Sequence, residues 1–390
     1  MKIGYAQTVI TPSLKSLVYL AGFGHNRRAE SVHDDLFARA LAVSTEQTTL
    51  ILCSVDLIGL FTPDVEQIIR QVNRPDLQIV IAATHTHHGP DTAGLWGPDD
   101  KTRGVDEAYL TELRQKVADT LLGAIHALQP VSSFKSGSVF VRGVVKNARN
   151  PEILDEELTV LQFLGADGRP LASLFNFPCH PEVLWEHNPH ITSDYPGVLC
   201  ARVEQRTGAP CIFFSGALGG MMTPDVVDHS FEECQEMGLA LAHAGLETFE
   251  LAEVMPAEDI SIQKARFGAK LTNPLYKFAF WRKLLPDVRD QQGNVNSEVN
   301  LIKIGDLWLA TVPGELLPKL GLEIKARCLG AGARVAGVIG LANGWFGYIL
   351  PAEDFKYPWN PFKPGQHYEE TNSIGKEIGP RVMRAVKGLL

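Results

Sequence analysis

Short β-branched apolar runs recur along the chain and alternate with stretches of helical periodicity, a pattern that sheets flanked by helices can bury and that helical bundles or all-β sandwiches cannot. Strand character falls at Ile3 to Ile10, Phe37 to Ser44, Leu50 to Val55, Leu77 to Ala82, Thr159 to Leu164, Leu171 to Asn176 and Pro210 to Phe214. It returns at Ile260 to Phe267, Glu298 to Ile304, Leu307 to Thr311 and Ala333 to Leu341. The clearest helix runs from Glu107 to Leu128, with Asp106 placed as N-cap and Leu110, Leu113, Val117, Leu121, Ile125 and Leu128 at helical spacing. Further helices are expected at Val65 to Val72, Val198 to Arg206, Glu232 to Glu247, Leu316 to Cys328 and Gly375 to Leu389. The expectation is an α/β fold of mixed β-sheets flanked by helices, and no internal repeat is visible. Two stretches break the pattern. Tyr276 to Asn294 mixes aromatic, basic and polar residues as a surface insertion or lid would, and Lys356 to Gln366 mixes prolines with Tyr357, Trp359 and Phe362.

The chain has 390 residues, enough for one elaborate domain or two packed halves. A net charge of -9 argues against a nucleic-acid partner, whose phosphates the mean field would repel. No apolar stretch has the form of a signal peptide or is long enough to span a bilayer, so a cytoplasmic protein is expected. The six cysteines lack C-x-x-C spacing and read as buried free thiols.

Four segments each place a polar or ligand-bearing group after an apolar strand. The first is Thr84-His85-Thr86-His87-His88-Gly89-Pro90, which follows Ile79 to Ala83. Three histidines within four positions at the C-terminal rim of a strand favour a metal or acid–base site over a merely solvated loop. The second is Asn176-Phe177-Pro178-Cys179-His180-Pro181, another strand ending in histidine, whereas the nearby His187 and His190 read as exposed. The third is Pro313-Gly314-Glu315, where the carboxylate either caps the following helix or serves a site. The fourth is Asn343-Gly344-Trp345-Phe346-Gly347-Tyr348, whose tyrosine suits a site or a core position with a bonded hydroxyl.

Taken together these segments resemble the neutral, non-lysosomal ceramidase family. Thr84 to Pro90 matches that family's Thr-His-Thr-His-Ser-Gly-Pro motif with His88 in the serine's place. Asn176, Phe177 and His180 match its Asn-Trp-Phe-x-x-His pattern, Pro313 to Glu315 its Pro-Gly-Glu, and Asn343, Trp345 and Tyr348 its Asn-x-Tyr-x-x-Tyr. The order holds from Gly22-Phe23-Gly24 to Tyr368-Glu369.

The resemblance implies a single ceramidase-like catalytic domain over residues 1–390, without the family's separate C-terminal β-sandwich. One zinc ion would be held by His85, His180, Glu315 and Tyr348, with a position left open. His87 would move the proton of the activated water. Arg149, in Asn147-Ala148-Arg149-Asn150-Pro151, and Tyr368 would hold a substrate oxygen. The family's Gly-Asp-Val-Ser-Pro-Asn loop appears here as Gly220-Met221-Met222-Thr223-Pro224-Asp225, which makes Thr223 the candidate substrate contact.

The activity implied is hydrolysis of a non-peptide amide C–N bond in a small or lipid-like N-acyl compound by metal-activated water. Because no membrane-binding helix stands out, a smaller amide, lactam, lactone or ester is favoured over a membrane sphingolipid. An esterase or lactonase on the same metal site, a non-catalytic metal-dependent binding protein, and a metal-free cluster of histidines and tyrosines are the alternatives.

Overall fold

The computed structural model describes residues 1–257, 260–355 and 368–390, so the expected insertion at Lys356 to Gln366 lies outside the described residues. Two five-stranded sheets and one four-stranded sheet form the body. The first sheet has the order Leu77–Ala83, Thr49–Val55, Phe37–Ser44, Lys2–Val9 and Gln129–Pro130. The second runs Cys211–Ser215, Pro170–Phe177, Glu157–Leu164, Ser133–Phe140 and Met255–Pro256. The third runs Ile260–Lys270, Asn294–Ile304, Leu307–Thr311 and Val335–Ile339.

One topological unit recurs in all three sheets, although the sequence shows no repeat. An antiparallel pair is followed by a helical crossover to a parallel edge strand. The crossover helices are Thr62–Val72, Tyr195–Thr207 and Pro318–Gly330, and the parallel pairs they create are Thr49–Val55 with Leu77–Ala83, Pro170–Phe177 with Cys211–Ser215, and Leu307–Thr311 with Val335–Ile339. Parallel strands need such crossovers, and open α/β sheets carry their sites at the strand C-termini.

Strand alternation decides which core each residue enters. Leu50, Leu52, Leu161, Phe163, Leu174, Leu307 and Leu309 point into a central cluster shared by all three sheets. Their neighbours Ile51, Cys53, Val160 and Phe175 point outward under the helices of the first two sheets. Because both faces are covered, these strands read as continuous apolar runs. Asn176 stitches two of the sheets together, its Nδ2 donating to Phe214 O and Val338 O at 2.9 Å each.

The strands Phe37–Ser44 and Leu307–Thr311 form at the expected bounds. The long helix spans Glu107–His126 with Asp106 capping Ala108 N and Tyr109 N, so Leu128 falls beyond it. Ser133–Phe140 forms a strand outside the expected set: in Ser-Phe-Lys-Ser-Gly-Ser-Val-Phe, Phe134 is the one fully buried side chain, leaving little apolar alternation in the sequence. The expected helix at Leu316 begins at Pro318, and Glu315–Leu316 instead forms a two-residue strand paired in parallel with Tyr348–Ile349. Overlapping the start of the expected insertion, Pro274–Trp281 is a helix capped by the Asn273 side chain, with Phe280 and Leu285 buried in the core of the third sheet. Among the described residues no helix is long and apolar enough to cross a membrane.

Candidate functional site

The four segments converge beyond the C-terminal ends of their strands. His85 adopts a left-handed backbone, φ 70°, a conformation costly for a residue with a side chain. Two anchors hold it there: its N–H donates to Leu57 O at 2.9 Å, and its Nδ1 meets Ile58 O at 2.5 Å. On the second sheet His180 is fixed in the same manner, with its backbone N–H and its Nδ1 both directed at Met222 O at 2.8 and 2.9 Å. Donation from Nδ1 to a carbonyl leaves each Nε2 as a lone-pair donor facing inward, the tautomer a metal ligand requires.

Glu315 lies between them. Its Oε2 stands 3.5 Å from His85 Nε2 and 3.5 Å from His180 Nε2, while its Oε1 accepts from Trp345 Nε1 at 3.0 Å. The Pro-Gly bend has a steric cause: a Cβ on Gly314 would come within 2.5 Å of Gly347 O, so only glycine lets the two loops close. That closure puts Glu315 directly opposite Tyr348 in the strand register. Burial first, then the Glu315 charge, pushes the Tyr348 hydroxyl well above its ordinary pKa. Asn343 anchors the same loop to the first sheet, accepting from Ile81 N through its side chain at 2.8 Å.

This donor set fits a divalent cation. At Zn–N distances of about 2.0–2.1 Å, tetrahedral donors stand about 3.3 Å apart, close to the 3.5 Å between Glu315 and each imidazole. The nitrogens of His85, His87 and His180 also lie within 4.8 Å of one another. Two neutral imidazoles, a carboxylate and a phenol are borderline-hard donors of the kind zinc accepts.

His87 belongs to the same cluster, its ring 5.0 Å from that of His85 and 5.5 Å from that of His180. Burial, then the two neighbouring imidazoles, pushes its pKa far down, so it is neutral. Both of its ring nitrogens lack a hydrogen-bond partner, although Nδ1 stands 3.1 Å from Glu182 Oε2. Both Glu182 oxygens are likewise unpartnered and fully buried. Sequence reasoning passed over Glu182; the available signal was a carboxylate two residues after His180 in an otherwise apolar Pro-Cys-His-Pro run.

The third histidine turns away. His88 Nδ1 faces Asn188 Nδ2 at 3.2 Å, and its Nε2 lies 3.6 Å from Asp194 Oδ2, beneath the site rather than in it. His187 is exposed as expected, whereas His190 is half-buried and meets Ser31 Oγ at 2.7 Å.

A cavity of about 830 Å³ opens above the cluster, walled by His87, Arg149, Glu182, Met221, Tyr348 and Tyr368 among others. Arg149 is held by its backbone contacts to Asn147 and Gly220 and donates from Nη1 to Glu369 Oε2. Tyr368 is half-exposed, its ring packed edge-on to that of Tyr348 at 5.7 Å. Thr223 is buried in the strand Met222–Pro224 beside Glu182, where burial raises the pKa of that carboxyl and the Thr223 hydroxyl opposes the rise. A smaller chamber of about 60 Å³ adjoins the cluster between His85, Trp96, Tyr276, Leu285 and Trp345.

No protein-family model and no curated protein matches the chain. Among solved structures it is similar to the neutral ceramidase from Pseudomonas aeruginosa, with a TM-score of 0.80 and 19% identity over 99% of this chain and 73% of that one. A ceramidase complexed with C2 superposes with a TM-score of 0.79 and 18% identity, covering 100% of this chain and 75% of that one. The chain has the neutral-ceramidase fold.

Proposed function

We propose that the protein is a zinc-dependent hydrolase that cleaves the amide C–N bond of a linear, lipid-like N-acyl compound. The observation that carries this reading is Glu315 Oε2 at 3.5 Å from both His85 Nε2 and His180 Nε2, with Tyr348, which lines the open cavity, in register beside it. His85, His180, Glu315 and Tyr348 would hold one ion, which when bound supplies Lewis acidity to a carbonyl and to water.

The remaining work falls to the chain. His87, neutral because it is buried among imidazoles, takes a proton from the attacking water at Nε2 and gives it to the departing nitrogen; a positioned base of this kind contributes about 10²- to 10⁴-fold. A proton on His87 Nδ1 would face Glu182 Oε2 at 3.1 Å, which favours the tautomer that leaves Nε2 free to act. Arg149, steadied by Glu369, and Tyr368 stand at the cavity wall, where their N–H and O–H groups can meet the oxygen that gains charge as the carbonyl is attacked. Water adds across the bond, one proton goes to nitrogen, and a carboxylic acid and an amine leave. Six free, buried cysteines suit a reducing cytoplasm.

The test is a panel of N-acyl amines, esters and lactones assayed before and after chelation, with the metal content of His85→Ala and Glu315→Ala measured alongside. The reading predicts chelation-sensitive cleavage of N-acyl amines and loss of zinc in both variants. Full zinc occupancy in both, or turnover that survives chelation, removes it.

A further inference from the structure

The helix Pro274–Trp281 presents an outer face that no other described part of the chain covers. Leu275 is 42%, Phe278 55% and Trp281 74% exposed, and the last two rings lie 5.8 Å apart. Their spacing places all three on one side of the helix. The opposite side is firmly seated: Phe280 is buried, and the Tyr276 hydroxyl donates to Asn372 O at 3.1 Å. Loose packing therefore does not account for the exposed rings, and a contiguous exposed apolar patch marks a surface that meets something.

The charge around the patch indicates what it meets. Lys277, Arg282 and Lys283 are exposed and form no ion pair among the described residues. No acidic residue occurs between Pro274 and Pro286, in a chain whose net charge is -9. Exposed aromatic rings on a helix, beside cations on it and on the turn that follows with no acidic partner among the described residues, suit an interfacial segment, whereas protein–protein interfaces are depleted in lysine. The position of the helix adds a second argument, since its inner residue Tyr276 walls the small chamber that contains His85 and Glu315.

We propose that this face seats the protein on an anionic lipid surface, with Phe278 and Trp281 at headgroup depth and Lys277, Arg282 and Lys283 against the lipid charges. The seating does not rest on the hydrolase reading, and it is measured without turnover.

The experiment is co-sedimentation of the full chain with vesicles of phosphatidylcholine alone or mixed with phosphatidylserine, at low and high salt. The intact chain should pellet with the mixed vesicles, pellet poorly with phosphatidylcholine alone, and be released by salt. Lys277→Glu should weaken binding at least about fivefold, the contribution of one cation near an anionic surface, and the Phe278→Ser/Trp281→Ser pair should weaken it more. In both variants metal content and cleavage of a water-soluble short-chain N-acyl amine should be unchanged. An intact chain that stays in the supernatant, or variants that pellet as the parent does, overturns the proposal. So does sedimentation velocity in which Phe278→Ser/Trp281→Ser converts a dimer to a monomer, which would assign the face to a second copy of the chain. Vesicle binding without turnover of any N-acyl substrate would sink the hydrolase reading alone.

Discussion

Gly22→Ala puts a single methyl group against the group assigned to proton transfer and leaves every proposed ligand untouched. Gly22 has φ +103°, and a Cβ built there lies 2.4 Å from His87 Cγ and 2.5 Å from its Nδ1, far inside van der Waals contact. His87 must therefore rotate or the Gly22 backbone must shift. Holding alanine at such a φ costs of order 1–3 kcal/mol. With about 2.1 cal/mol/K of unfolding entropy per residue, a loss of about 2 kcal/mol over 390 residues lowers Tm by roughly 2–3 °C. The catalytic cost is far larger if His87 is the base, because displacing a positioned base removes about 10² to 10⁴ in kcat. Turnover of an N-acyl amine, metal content and differential scanning calorimetry on the same preparation separate the two effects. The expected outcome is a small drop in Tm, one zinc per chain retained, and kcat down by at least about a hundredfold. A variant with the lowered Tm but nearly parental kcat would refute the assignment of His87.

Three further outcomes follow from the same geometry. Glu182→Ala should lower kcat by about 10- to 100-fold, as loss of a group orienting a catalytic histidine does, with KM little changed in steady-state kinetics. Trp345→Phe removes the donor to Glu315 Oε1 and should weaken zinc affinity by about 10- to 100-fold in a competitive chelator titration. Burial pushes the Asp194 carboxyl up from its ordinary value of 3.8 to about 7. A pKa raised in the folded state means that stability is fully present below the unfolded pKa and is lost as pH climbs through the folded one. Asp194 should therefore cost up to roughly 4 kcal/mol between pH 4 and pH 7. Asp194→Asn keeps the helix cap and should flatten the parent's decline in urea stability across that range; an unchanged slope would contradict the burial argument.

The sequence reveals what strand alternation encodes and hides what depends on distant contacts. Phe37–Ser44 and Leu307–Thr311 are legible because both of their faces are apolar. Ser133–Phe140 is hidden because its pairing with Glu157–Leu164 supplies order that its own side chains do not signal. The threefold recurrence of the crossover unit leaves no trace in residue identity, since hairpin-plus-crossover topology asks only for apolar strands and an amphipathic helix. Resemblance of motifs picked out His85, His180, Glu315 and Tyr348, and the strand ends bring these four segments into one cluster. Which of His85, His87 and His88 face inward could not be read from spacing. That choice is made by the left-handed backbone at His85, fixed by carbonyls of Leu57 and Ile58 some thirty positions away, which sends His88 down to Asp194. Glu182 escaped notice for a related reason: its importance lies in two oxygens left without partners beside His87, a property of packing alone.

The proposed centre requires one ion gathered from four separate stretches of chain. X-ray absorption at the zinc edge on protein loaded with one equivalent of zinc examines that directly. The predicted spectrum is a shell of nitrogen and oxygen at about 2.0–2.1 Å, with outer-shell scattering from two imidazoles, those of His85 and His180, and with one imidazole lost in His180→Ala. No retained zinc, or a sulfur-containing shell, would contradict the centre itself. Three imidazoles would make His87 a ligand and end its role as the base.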